Sequence, residues 1–391
     1  MTGAPADRLV GVDVARCLAL LGMVATHVLL GQEPDGSLTD SQWLAGGRAA
    51  ALFAVLAGVS IALMTGRRTP VRGRERRRRS VELAVRALLV AVLGLALGEL
   101  ETGIAVILTY YGVLFLLALP FIGLTTRPLL ALAMVWVVVG PVVSQVVRPH
   151  LPERRYDSPH LAQLADPGPV LSELLFTGYY PAVPWLAYLL LGLALGRADL
   201  GNRRIQALLV GAGLATAVLA TVVSRWLTGR QAVSRRLLEG SPPGATIDQL
   251  LEQVAGGMFG QTPVDGSWAW LLVVAPHSTT PFDLAQTMGS AVFVLGTCLA
   301  VAGLVGDVGR RALAVFFGAG TMTLSLYTLH VLMKTERIWP REEPESFRLH
   351  VLVLMAIGAV FVAARRRGPL EWVVATTSKT VSRAVSGAAT R

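Results

Sequence analysis

The stretch VGVDVARCLALLGMVATHVLL, residues 10–30, fixes how the rest of the chain is read. It is apolar over a length that, at about 1.5 Å per residue, crosses a hydrocarbon core roughly 30 Å thick. It nevertheless carries Asp13, Arg16 and His27, and it lacks a convincing small-residue cleavage site, so it reads as a retained first span rather than a cleavable signal peptide. Comparable runs recur at approximately 43–65, 81–100, 104–124, 128–148, 175–196, 205–224, 280–306, 312–333 and 348–364. Hydrophobic residues make up 53% of the 391 residues and charged ones 15%, against about 45–50% and about 25% in ordinary soluble domains. That composition argues against a soluble globular enzyme. The expected fold class is all-α: a polytopic transmembrane helical bundle of about 10 spans (10–11), forming one domain over residues 1–391.

The formal charge of +10 does not point to nucleic acid, because the arginines cluster between apolar runs, where they orient helices. Residues 66–80 hold eight Arg, whereas residues 31–42 hold neither Lys nor Arg, so the first loop is expected to be extracytoplasmic and the second cytoplasmic. Both termini then face the cytoplasm. The longest hydrophilic connection, about 225–279, falls on the outer side. Within it Thr246 and Gln249 have the form of a capping box, followed by Ile247, Leu250, Leu251 and Val254 at amphipathic spacing. Residues 268–275 are apolar but too short to span as a helix, which suggests a re-entrant segment. Cys17 and Cys298 fall inside spans with no partner at ligand spacing and read as packing residues; the six His are equally scattered, so no metal site is expected.

Ionisable groups inside a membrane are costly and therefore functional candidates. Asp13 and Arg16 stand at i, i+3, and His27 lies eleven residues after Arg16, close to three helical turns, so all three can share one face. Along the axis Arg16 and His27 are about 16 Å apart. Asp13 and Arg16 can equally form an interfacial anchor. Arg48, near the outer end of the second span, falls at much the same depth as His27; it can bind an anion or an oxyanion, or simply snorkel. His277 precedes a helix start made of Thr280, Pro281 and Asp283, in which Asp283 reads more readily as a cap than as a catalytic acid. Thr323, Tyr327 and His330 line one face of span nine, either as part of a pocket or as an interhelical hydrogen-bond stripe. Of the intramembrane aromatics, Tyr111 is kept as a substrate contact.

The Asp13, Arg16 and His27 spacing in GVDVARCLALLGMVATH resembles the first helix of the acyltransferase family three. The fragments ILTYYGVLFLLALPF (107–121), YYPAVPWLAYLLLGLALGRADL (179–200), PHSTTPFDL (276–284) and TLSLYTLHVL (323–332) resemble bacterial relatives of heparan-α-glucosaminide N-acetyltransferase. The latter carries its catalytic His just before a Trp between the first two helices; here Ser41 and Gln42 precede Trp43, and His27 is the best substitute. The resemblance implies a multi-pass acyltransferase of the bacterial cytoplasmic membrane. It would move an acyl group, most simply acetyl, from acyl-CoA to a hydroxyl or amine of an extracytoplasmic glycan or glycolipid. His27 and Asp13 would be catalytic, and Arg16, Arg48, Tyr111, His277 and His330 would bind substrate; a homodimer is left open as an assembly. The rival reading is a transporter or lipid flippase for an anionic substrate, against which stands the lack of an internal repeat.

The arginine asymmetry makes a direct prediction. A cysteine introduced at Ser80 resists an impermeant thiol reagent in intact cells, while one at Ser37 reacts; the reverse pattern inverts the topology.

Overall fold

The computed structural model describes residues 9–155, 158–336, 338–340 and 346–388, with side chains to 385. Every regular element among them is helical; a lone bridge between Gln32 and Leu38 is the nearest approach to a strand. The principal helices are α1 (Val10–Val28), α2 (Arg48–Met64), α3 (Gly73–Gly98), α4 (Leu108–Ala118), α5 (Thr126–Val147), α6 (Ala182–Arg197), α7 (Arg203–Thr228), α8 (Pro281–Leu304), α9 (Thr323–Met333) and α10 (Ser346–Ala363). Seven described helices are long and apolar enough to cross a membrane; α6 with the bent segment before it makes an eighth, and α4 and α9 are shorter apolar helices.

Burial divides these helices into a centre and a rim. The helix α6 is apolar on all sides and buried along nearly its whole length, the pattern of a helix enclosed by others. It packs against α2 and α5, while α1 packs against α2 and α8. By contrast only 17% of the apolar window is buried in α7 and in α10, so their exposed Leu, Val and Trp faces form the rim that meets lipid. The α2–α6 crossing is close because Gly58 and Gly192 face each other there; a Cβ on Gly192 would press into the Val55 carbonyl and the Gly58 backbone. Small residues at such a crossing let two helices gain dispersion contacts that larger side chains would prevent.

Three expected spans are interrupted. Residues 99–107 are not helical, and α4 begins only at Leu108. The run 175–196 breaks: Pro167–Ser172 continues into a wide helical turn, Glu173–Thr177, and α6 follows after a 52° bend at Gly178–Pro181. The run 312–333 is split between Asp307–Phe316 and the eleven-residue α9 by the tight turn Gly318–Thr321, where Gly320 lies against the main chain of Asp13 and Gly318 against Gly358. The last two breaks are steric: prolines and close glycine contacts override the apolar pattern.

The connection between α7 and α8 contains Gln231–Leu237 and the expected amphipathic helix Ile247–Ala255, opened by the reciprocal Thr246–Gln249 capping box. Residues 268–272 form a tight helical turn held to the bundle: Ser224 donates to the Leu272 carbonyl (2.6 Å) and Thr280 to the Val273 carbonyl (2.6 Å). Trp270, Leu237 and Val273 build a small separate core there.

The helix crossing is testable. Gly192→Leu should destabilise the detergent-solubilised protein by about 1–3 kcal/mol, read as a fall in melting temperature. Gly211→Leu, on the rim of α7 where an added side chain meets nothing, leaves the melting temperature unchanged.

Candidate active site

His27 lies at one end of α1 and lines a cavity of about 570 Å³. Its Nδ1 is 3.0 Å from Nε2 of His330, and the two rings are stacked with centroids 5.3 Å apart. His330 in turn places its Nδ1 2.9 Å from Nδ1 of His350 on α10. His330 and His350 are wholly buried. Lys334 donates from Nζ to the His27 carbonyl (3.1 Å), which holds the end of α1 against α9. Among the described residues nothing hydrogen-bonds the remaining His27 nitrogen, Nε2.

The opposite wall of the cavity is aromatic and amide-rich, with Tyr179, Tyr180, Phe259, His277, Gln42 and Gln253. His277 is held between Tyr179 (4.6 Å between centroids), Tyr180 and Trp185. Its backbone and that of Thr279 have φ of 57° and 53°, a left-handed conformation that is uncommon for residues other than glycine and often found at binding sites. His277 Nδ1 is buried without a partner. Behind it the α8 start is capped as expected: Asp283 N–H donates to Thr280 Oγ1 (3.0 Å), and Asp283 Oδ2 accepts from Thr279 N–H (2.9 Å). Asp283 is thereby accounted for as a cap.

A second cavity, about 370 Å³, lies towards the Arg16 end of α1. Its polar residues include Arg16, Ser60, Arg86 and Glu371; Phe53, Leu56, Val90 and Phe115 make the rest largely apolar. Arg16 pairs with Asp13 (3.1 Å) and donates to Ser60 Oγ (2.6 Å). Arg86 Nε is buried with no partner. Tyr111 and Tyr327 also line this cavity, and Tyr111 links its wall to that of the first. The Tyr111 hydroxyl donates to the carbonyl of Ala50 (3.4 Å), a residue that lines the His27 cavity, and Ile107 N–H donates to the Tyr327 hydroxyl (3.3 Å).

The residues named from the sequence therefore fall into two groups. His27, His277 and His330 gather at one end, while Asp13 and Arg16 pair at the other, with Tyr111 between. Asp13 and His27 do not meet, since fourteen positions of helix separate them by about 21 Å. Arg48 is not in the cavity wall: its guanidinium lies over the Trp43 ring (6.0 Å) and donates to the Trp43 carbonyl, while its neighbours Gly47 and Ala49 line the cavity. His350 and the Tyr179–Tyr180 pair were missed. The signal for His350 was available, because spans nine and ten are antiparallel neighbours with a His at the same end of each.

Burial pushes the His277 imidazole from the ordinary histidine range down to about 4. It is neutral at pH 7, whereas in the unfolded chain it titrates near 6.5. Between those values the unfolded chain holds the extra proton, so the contribution of this residue to stability is lost as pH falls from about 6.5 towards 4. The melting temperature of the parent protein is expected to fall more steeply over that window than that of His277→Asn. Parallel curves would mean that the folded protein protonates His277 freely.

Comparison with protein families finds one whose model, "Heparan-alpha-glucosaminide N-acetyltransferase, catalytic", matches residues 8–227. That stretch includes α1 to α6, with Arg16, His27 and Tyr111, while His277, His330 and His350 lie beyond it. No protein of curated function matches the chain.

Proposed function

Because the chain belongs to the heparan-alpha-glucosaminide N-acetyltransferase catalytic family, we propose that it is a membrane acetyltransferase with acetyl-CoA as donor and the amine or hydroxyl of a glycan or glycolipid as acceptor. The observation that carries this reading is the pair of cavities along α1, linked through the Tyr111 bond to Ala50, one with a hydrogen-bonded imidazole and the other with arginines. The family membership lends no support to the transport alternative.

The donor fits the Arg16 cavity on two grounds. Its apolar walls suit a pantetheine arm, and Arg16 with the unpartnered Arg86 Nε offers charge-assisted bonds to the CoA phosphates. The roughly 16 Å between Arg16 and His27 is a distance that an extended arm bridges once its tip passes Tyr111. Asp13 then acts by holding Arg16 in place. The acceptor occupies the His27 cavity, where Tyr179, Tyr180 and Phe259 offer flat apolar faces to a sugar ring and the Gln42 and Gln253 amides are hydrogen-bonding groups for its hydroxyls. In direct transfer, His27 Nε2 takes the proton of the attacking amine or hydroxyl as the acceptor atom bonds to the thioester carbon, the carbon–sulfur bond breaks, and His27 passes that proton to the departing CoA thiolate.

The arginine bias argues that the Arg16 end is cytoplasmic and the His27 end extracytoplasmic. Donor and acceptor would then approach from opposite sides of a bacterial cytoplasmic membrane, in a single domain of about ten spans with both termini inside.

Release of free thiol from acetyl-CoA by the purified protein, stimulated by an amino sugar, is the primary test. No release would remove the reading. His27→Ala should lower turnover about 100-fold or more with the melting temperature preserved; near-parental turnover would take the base role from His27. For the donor end, Asp13→Asn combined with Arg16→Gln removes both charges together, so neither is left buried and unpaired. That double variant is expected to bind acetyl-CoA at least tenfold more weakly; parental affinity would place the phosphates elsewhere.

A further inference from the structure

Three imidazoles in a row are more than a base with a neighbour. His27 Nδ1 meets His330 Nε2 at 3.0 Å, and His330 Nδ1 meets His350 Nδ1 at 2.9 Å. A neutral imidazole has one donor and one acceptor nitrogen, so the two bonds must run in the same direction along the chain. Either His27 donates to His330 and His330 to His350, leaving His27 Nε2 a bare acceptor, or both bonds are reversed and His27 Nε2 carries the hydrogen.

On the acetyltransferase reading above, we propose that His330 and His350 are positioning residues for His27: they select its basic tautomer and draw off the proton it gains. In the first arrangement Nε2 is bare. When it takes the acceptor's proton, the Nδ1 proton of His27 moves to His330 Nε2, and the Nδ1 proton of His330 moves to His350 Nδ1. The positive charge then rests on His350, away from the reacting atoms, and His27 presents an Nε2–H. The acceptor atom has formed its bond to the acetyl carbon, and the carbon–sulfur bond has broken. His27 gives its Nε2 proton to the thiolate as both hydrogen bonds return to their first direction, which restores three neutral rings and leaves CoA as the thiol. Every proton is accounted for without an outside acid.

The burial of the pair fits this role. His330 and His350 are sealed from solvent, so neither exchanges its proton with bulk water between the steps. Among the described residues, Lys334, whose ammonium is on the His27 carbonyl, and His277 across the cavity are charged or titratable groups that face His27; Trp339 lies beside His350 with ring centroids 6.5 Å apart.

The test uses the full-length protein in bilayers with two readouts. The first is kinetic: His350→Phe keeps a ring in the space but ends the relay, and is expected to lower kcat about tenfold or more with the acetyl-CoA KM within about twofold. The dependence of kcat on the deuterium fraction of the solvent should change from curved in the parent, where several protons move together, to linear in the variant. The second is nitrogen-15 NMR of labelled histidine near pH 7, which reads the tautomer without substrate. The parent should show His27 protonated at Nδ1, and His330→Phe should release that preference. A parental kcat and a curved dependence in His350→Phe would overturn the relay. So would a His27 tautomer protonated at Nε2 in the parent, or one that His330→Phe leaves unchanged. If the parent transfers no acetyl group to any acceptor, the proposed function fails, and the NMR result still decides whether the three rings are ordered as described.

Discussion

In hydrocarbon no water completes a hydrogen bond, so every place where this chain leaves the helix must be paid for by a side chain. The buried guanidinium of Arg197 collects the carbonyls of Ala62, Thr65, Arg67 and Ile122, which lie where α2 ends and where the turn after α4 runs. Arg148 does the same at the far end of α5, taking the Thr262 carbonyl and the Gln261 side chain. Glu371, from the C-terminal helix Pro369–Ala388, accepts the Leu324 and Ser325 N–H groups that α9 leaves exposed at its start. Ser158 accepts the Val106 N–H and donates to the Ile104 carbonyl in the irregular stretch before α4. Each of these side chains satisfies irregular backbone that packing closes off from water, and two of the breaks they support, at Leu108 and Thr323, border the cavities.

The same constraint explains what the sequence revealed and what it hid. Apolar length located nearly all the helices, because burial in lipid or in protein demands the same composition. It could not see that 175–196 and 312–333 are broken, since the breaks depend on Gly178, Gly318 and Gly320 lying against Tyr110, Gly358 and Asp13, far away in sequence. The Asp13–Arg16 pair was legible from one-dimensional spacing, because both residues lie on one helix. The approach of His27 to His330 was not, as it joins residues about 300 positions apart. His350, at the start of the tenth span, was not singled out, yet it is the third imidazole of the row. Arg48 is the converse case: its depth suggested a site, but Trp43, five residues away, offered a nearer carbonyl and ring.

The division of labour between the two cavities also follows from this architecture. The residues suited to phosphate are arginines, and these are tolerated where their charges can pair or reach an interface, as Arg16 does with Asp13 and Ser60. The residues suited to proton transfer are neutral imidazoles, which can be sealed away. On the proposed reading the two kinds of group therefore sit towards opposite ends of α1, with Tyr111 linking the walls of their cavities. A long, flexible donor reconciles the separation, because its reactive tip can leave its charged end behind.

The layer formed by Tyr111 and Tyr327 has an electrical consequence. In the proposed reaction the arm passes the layer as a neutral thioester and withdraws as a neutral thiol, having left an acetyl group beyond the layer and taken up the acceptor's proton beside His27. Neither movement carries a charge. A net elementary charge carried across the membrane would cost or gain about 2.3 kcal/mol per 100 mV, enough to tie the reaction to the energetic state of the cell. An exchange of acyl for proton across a single aromatic layer carries no such term, so the membrane potential neither drives the transfer nor opposes it.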